Sequence, residues 1–195
     1  PGPSGQEAEV AQFVRSELLS AGARPEWIRT DAAHRRTRIR GQTGNLVFRL
    51  PGTRRGKRRL LMAHLDTVPI CVGAKPVRRA GLIHSANRES GLGADNRAGT
   101  AVVLHTALTL LRQDVARPPL TFLWTVQEEV GIQGARLLSL GLLGRPTCAF
   151  NWDGGNASKI TIGATGGYRL EITIEGQASH AGGAPEQGAG SSSRR

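Results

Sequence analysis

The most constraining feature of this 195-residue sequence is an alternation of short apolar runs with amphipathic stretches between residues 58 and 155. RRLLMAHLDTVP (58–69) reads as a strand, buried through Leu60–Ala63 and stopped by Pro69. NRAGTAVVLHTALTLLR (96–112) has helical spacing, and LTFLWTVQ (120–127) is a second strand. IQGARLLSLGLL (132–143) follows as a helix and TCAFNWDGG (147–155) as a strand and turn. This order predicts an α/β fold, with a mostly parallel sheet flanked by helices. Ligand sites in such sheets gather at the carboxyl ends of the strands.

Upstream, PSGQEAEVAQFVRSELLSAGA predicts an amphipathic helix ended by Gly22. Ser4 is its expected cap, with Glu7 as the capping-box partner. NLVFRL (45–50) predicts another strand, and residues 70–94 read as loop-rich. The stretch 159–183 alternates like strands, and GAGSSSRR at the end is low-complexity.

Composition narrows the function classes. The formal charge is +11, yet of 26 basic residues the only lysines are Lys57, Lys75 and Lys159. That skew fits an Arg-rich composition better than a nucleic-acid surface, and no aromatic residues interleave the dense segments HRRTRIR (34–40) and RRGKRR (54–59). No nucleic-acid partner is expected. No apolar run approaches the roughly 18 residues needed to span a membrane. Cys71 and Cys148 form no CxxC pair. Free thiols in a reducing cytoplasm are the expected state.

The chemistry lies in where the acids fall. His64 and Asp66 end one strand, and residues two apart on a strand share a face. Asp95 lies in the glycine-rich GLGADN (91–96), just before the long helix. Glu128 and Glu129 end the next strand, and Asp153 the one after. The predicted topology brings all of them to one edge of the sheet. Clustered carboxylates repel one another and lose solvation, and bound divalent cations are the simplest remedy. A histidine among several carboxylates suits zinc, cobalt or manganese better than calcium or magnesium. A bridging carboxylate can hold two metals roughly 3.5–4 Å apart. One of the adjacent glutamates then binds metal, and the other stays free as a general base. Side chains of adjacent strand residues diverge, so the pair must sit where the strand bends into its loop.

HLDTVP (64–69), GADNRAG (94–100), QEEVGIQGA (127–135), NWDGG (151–155) and ASHAG (178–182) resemble the two-metal exopeptidase and aminoacylase superfamily. The DTVP, DNRAG and SHAG segments lean towards its peptidase T-like branch. The resemblance implies a zinc-dependent exopeptidase fold, with an inserted α+β lid domain of which only the start is present. It divides the chain into residues 1–164 (catalytic domain), 165–188 (beginning of the lid and dimerisation domain) and 189–195 (aberrant or disordered tail). By the same resemblance His64 binds one metal, held in orientation by Asp66, and Asp95 bridges both metals. Glu129 binds the second metal and Asp153 the first. Glu128 is the general base activating a metal-bound water, so Glu128 and Asp66 form the catalytic pair. His180 is similar to the lid histidine that reaches the substrate.

The implied activity is a tripeptide aminopeptidase-like cleavage of short peptides. An N-acyl amino acid deacetylase or carboxypeptidase of the same superfamily is the alternative. A homodimer through the lid is the implied assembly. The pattern departs from the family in one respect: no residue after His180 supplies the histidine that completes the second metal site. A C-terminally truncated member, or a non-catalytic remnant, is the corresponding expectation.

Overall fold

The computed structural model describes residues 2–176 except 114, 157, 168, 169, 171 and 174. It divides into two units, Pro1–Gly155 and Asn156–Arg195. The elements of the first unit are α1 (Ala8–Ser20), β1 (Ile28–Thr30), β2 (Leu46–Leu50), β3 (Arg59–His64), β4 (Pro76–Arg79), β5 (Leu82–Ser85), α2 (Ala94–Arg112), β6 (Leu120–Thr125), α3 (Gln133–Arg136) and β7 (Cys148–Asn151).

The main sheet has the order β1-β2-β6-β3-β7. β3 runs parallel to both β6 and β7, whereas β2 is antiparallel to β1 and β6. The expected α/β architecture is therefore present, but the sheet is mixed rather than mostly parallel, with two parallel and two antiparallel pairings, and its parallel part carries the predicted acids. Leu46, Phe48 and Leu50 of β2 and Phe122 and Trp124 of β6 pack with Val10, Val14 and Leu18 of α1 and Val103, Leu104 and Ala107 of α2. Phe122 stacks on Phe48 at 5.5 Å and on Trp124 at 6.3 Å between ring centroids. Val47, Leu60 and Leu123, the alternate residues, pack with Leu143 in a second cluster. Both faces of β6 are thus covered, which is why LTFLWT is an unbroken buried run rather than an alternating one.

Three local expectations are corrected. Helix α1 starts at Ala8, and Ser4 does not cap it: the Ser4 hydroxyl donates instead to Asp66 Oδ2 at 2.6 Å. A buried carboxylate is the stronger acceptor, so it draws the hydroxyl away from the helix end. The predicted C-terminus holds: Gly22, at φ 98°, donates to Leu19 and Ala23 to Leu18, a Schellman closure. The stretch 132–143 is not one helix but a single turn, α3, followed by a 3₁₀ turn at Leu140–Leu143. Glycines at 134 and 141 lower its helix propensity. Residues 70–94 contain the hairpin β4–β5, turned through Ala80 and Gly81 at φ 49° and 77°. Positive φ at both turn residues is the type I′ signature.

In the second unit, no helix or strand occurs among the described residues. The strand pattern expected over 159–183 therefore has no ladder within them. An alternating segment becomes a strand only when a neighbour takes up its backbone hydrogen bonds. Among the described residues, no helix is long and apolar enough to cross a membrane.

Candidate metal centre

The parallel ladders align three strand ends. His64 of β3 lies opposite Thr125 of β6, and Met62 of β3 opposite Asn151 of β7. The chain leaving each strand therefore enters the same region, carrying Asp66, Glu128 with Glu129, and Asp153. The start of α2 is tied to this edge as well. Thr100 Oγ1 donates to the His64 carbonyl at 2.8 Å, and Asn96 Nδ2 to the Trp152 carbonyl at 2.7 Å. Asp95 and Asn96 are non-helical, and the peptide between them is cis. The regular helix begins beyond them, leaving Asp95 directed at the strand ends.

His64 is the buried centre of the group. Its Nδ1 lies 3.1 Å from the Asp66 backbone carbonyl and 3.5 Å from Asp66 Oδ1. With Nδ1–H donating there, Nε2 is left facing outward, the arrangement typical of a metal-binding histidine. Around Nε2 stand Asp95 Oδ1 at 3.1 Å, Asp153 Oδ1 at 3.6 Å and Glu128 Oε2 at 3.9 Å. One ligand atom each from His64, Asp95 and Glu129 lies within 4.8 Å of the others. The structure thus brings together His64, Asp66, Asp95, Glu128, Glu129 and Asp153. His180 lies outside the described residues.

The adjacent glutamates owe their position to a sharp turn after β6. Gln127 has φ 55°, a left-handed conformation that costs a non-glycine residue about 1–2 kcal/mol. The cost is offset by hydrogen bonds to buried carboxylates. Gln127 N–H donates to Glu7 Oε1 at 3.0 Å, Glu128 N–H to Asp66 Oδ1 at 3.0 Å and Glu129 N–H to Asp66 Oδ2 at 3.1 Å. With its backbone gripped from behind, the turn can present both side chains to His64. Asn45 braces the same turn: its Oδ1 accepts from Val126 N–H and its Nδ2 donates to the Gly134 carbonyl. Ser4, Glu7, Asn45 and Gln127 were not singled out as site residues by sequence reading. Their one sequence signal is polarity beside predicted apolar elements, which many solvated residues share.

Charge and burial oppose each other here. Burial disfavours a charged His64, but Asp66, Asp153 and Glu128 outweigh it and push the imidazole up to about 9. Burial likewise raises Asp66, but hydrogen bonds from His64, Ser4 and the two glutamate amides prevail and hold its carboxyl below the usual range. Burial pushes Glu128 and Glu129 up, aided by neighbouring carboxylates. A divalent cation relieves this crowding, and the donor set of one imidazole and several carboxylates fits such an ion. An ion held by His64 would have to displace its proton below about pH 9. Affinity should therefore rise with pH, by up to about tenfold per unit between pH 7 and 9, and level off beyond. Titration calorimetry in buffers of different ionisation enthalpy measures the released proton; none at pH 7.5 would contradict the His64 assignment.

A model of peptidase family M28 matches residues 45–185, a span that contains every one of these clustered side chains. The chain belongs to this family. It is 36% identical over 151 residues to carboxypeptidase G2 of Pseudomonas sp. (strain RS-16), covering 74% of this chain and 35% of that protein. It is 30% identical over 148 residues to the uncharacterised YqjE of Bacillus subtilis (strain 168), covering 74% and 39%. Among solved structures, a Staphylococcus aureus tripeptidase is similar with a TM-score of 0.71 and 26% identity, over 80% of this chain and 40% of that one. Aminopeptidase PepT from Bacillus cereus is similar with a TM-score of 0.68 and 27% identity, over 96% and 49%. These relatives bear out the two-metal exopeptidase resemblance, including its peptidase T-like character. The chain spans less than half the length of each of them.

Proposed function

We propose that the protein is a metal-dependent exopeptidase that hydrolyses amide bonds of short peptides near a free terminus, in the manner of a tripeptide aminopeptidase. The observation that carries this reading is the convergence of Asp95, Asp153 and Glu128 on His64 Nε2, all within 3.9 Å. The likeness to a tripeptidase and to PepT supports the peptide substrate.

Two divalent ions, zinc being the best match to the donors, would polarise the scissile carbonyl and make a water acidic enough to attack near neutral pH. Asp95 would be shared between them, with His64 and Asp153 on one side and Glu129 on the other. Asp66 keeps His64 and the glutamate turn in register. Glu128 accepts the proton of the attacking water and returns it to the leaving amine. A carboxyl raised by burial suits that work, because a stronger base accepts the proton more readily at neutral pH. In this reading residues 1–164 belong to the catalytic domain and 165–188 to the start of a lid. His180 contacts the substrate, and the lid pairs two copies. A cytoplasmic location and the absence of a nucleic-acid partner belong to the same reading.

The likeness to carboxypeptidase G2 favours a second reading, a carboxypeptidase or an N-acyl amino acid deacetylase. Assays on tripeptides against N-acyl amino acids, with zinc, cobalt or manganese supplied, separate the two. Hydrolysis of neither class would instead support a non-catalytic remnant. Asp95→Ala should remove at least one bound metal ion, read by elemental analysis after gel filtration. Unchanged metal content would sink the bridging assignment.

A further inference from the structure

We propose that Glu7 is a positioning residue of the metal centre: its Oε1 fixes the Gln127 amide and so sets the direction in which Glu128 and Glu129 leave β6. The proposal rests on the metal-dependent reading above.

Glu7 occupies the N-cap position of α1, but its side chain makes no capping hydrogen bond. The carboxylate is wholly buried and turned the other way. Oε1 accepts Gly5 N–H at 2.8 Å and Gln127 N–H at 3.0 Å. In a regular strand, successive N–H groups point to opposite sides. Here Gln127, Glu128 and Glu129 all direct theirs at buried carboxylates, the first at Glu7 and the other two at Asp66. Fixing these amides fixes the Cα–Cβ directions of both glutamates. Asp66 is in turn held by the Ser4 hydroxyl, and Thr67 N–H donates to the Gly2 carbonyl at 3.1 Å. Residues 2–7 thus lie behind the metal-facing turn as a continuous backing. Glu7 is the member of that backing that holds the left-handed residue itself. Its Oε2 has no hydrogen-bond partner among the described residues, so Oε1 carries the hydrogen bonding.

The test is a cobalt titration of the metal-free chain, followed by visible absorption and chelator competition. Four forms are compared: the unsubstituted chain, Glu7→Asp, Glu7→Gln and Val14→Ala. Glu7→Asp keeps the charge but withdraws the oxygen by one methylene. It should weaken cobalt binding about 10–100-fold, the usual effect of disturbing a group that orients metal ligands. It should also shift the cobalt absorption bands, which report ligand geometry. Glu7→Gln retains an acceptor at the same reach and should restore both affinity and spectrum to near the unsubstituted values. Val14→Ala opens a cavity in the wholly buried face of α1 and should lower the unfolding midpoint without moving the bands. Unchanged affinity and bands in Glu7→Asp overturn the positioning role, as does an equal spectral shift in Val14→Ala. Failure of the unsubstituted chain to take up cobalt overturns the metal-centre reading itself, and this inference with it.

Discussion

Glu128→Ala should lower kcat by about 10²–10⁴-fold, the range that general-base catalysis supplies, while metal content stays close to that of the parent. The proposed mechanism gives the adjacent glutamates different roles. Glu129 offers an oxygen to the group formed with His64 and Asp95, all within 4.8 Å. Glu128 Oε2 lies 3.9 Å from His64 Nε2. Its carboxyl is raised by burial and by Asp153 and Glu129, although His64 opposes the shift. A carboxyl raised in this way is the better proton acceptor of water near neutral pH. The measurement is steady-state turnover on a tripeptide, in a form of the protein that cleaves the parent substrate, paired with metal analysis of the same sample. Loss of metal together with activity would reverse the roles of Glu128 and Glu129. Retained activity would remove Glu128 from the chemistry.

Asp66→Ala should cost about 3–5 kcal/mol of folding stability, the usual effect of removing one partner from a buried charged network. The carboxylate is wholly buried. It accepts from Ser4 Oγ, Glu128 N–H and Glu129 N–H, and its Oδ1 lies 3.5 Å from His64 Nδ1. Alanine leaves those buried donors without their acceptor. Asp66→Asn is nearly isosteric but turns an amide donor towards one of the backbone N–H groups, so it should be destabilised as well, by less. Denaturant unfolding must be run with chelator present, because bound metal adds its own stabilisation. A loss below about 1 kcal/mol for Asp66→Ala would show that solvent satisfies the turn without it. A second signature follows from the lowered carboxyl. Its stabilisation is present above the usual aspartate range and is lost as pH falls through the depressed value, so the parent should be more acid-sensitive than Asp66→Ala.

The clustering of His64 with the acids was legible because each stands at the end of a recognisable apolar element. Once β3, β6 and β7 are strands of one sheet, their ends must meet, and His64, Glu128, Glu129 and Asp153 meet with them. Asp95 was legible for a related reason: glycine-rich GLGADN has to deliver the chain to the start of a long helix at that same edge. The failures have a common cause. Ser4 and Glu7 have the spacing of a capping box, a local motif, but their side chains go to Asp66, 62 residues from Ser4, and to Gln127, 120 residues from Glu7. Local spacing carries no record of so distant a partner. The broken helix at 132–143 shows the same limit. Gly134 lies against the Val126 carbonyl and Asn45 Oδ1, where no side chain could fit, and that crowding exists only once the sheet has formed.

The sequence by itself determined the class of fold and which strand ends carry the clustered acids, because these follow from periodicity and from what can end a buried strand. Tertiary structure alone decided that β2 is antiparallel to β6, that Gln127 adopts a left-handed turn and that the Ser4 and Glu7 side chains turn away from the helix end to Asp66 and Gln127. The physical reason is that buried charge must be satisfied where it lies. The carboxylates of Asp66 and Glu7 take up whichever N–H and O–H groups the folded chain brings beside them, regardless of how far away those groups stand in the sequence.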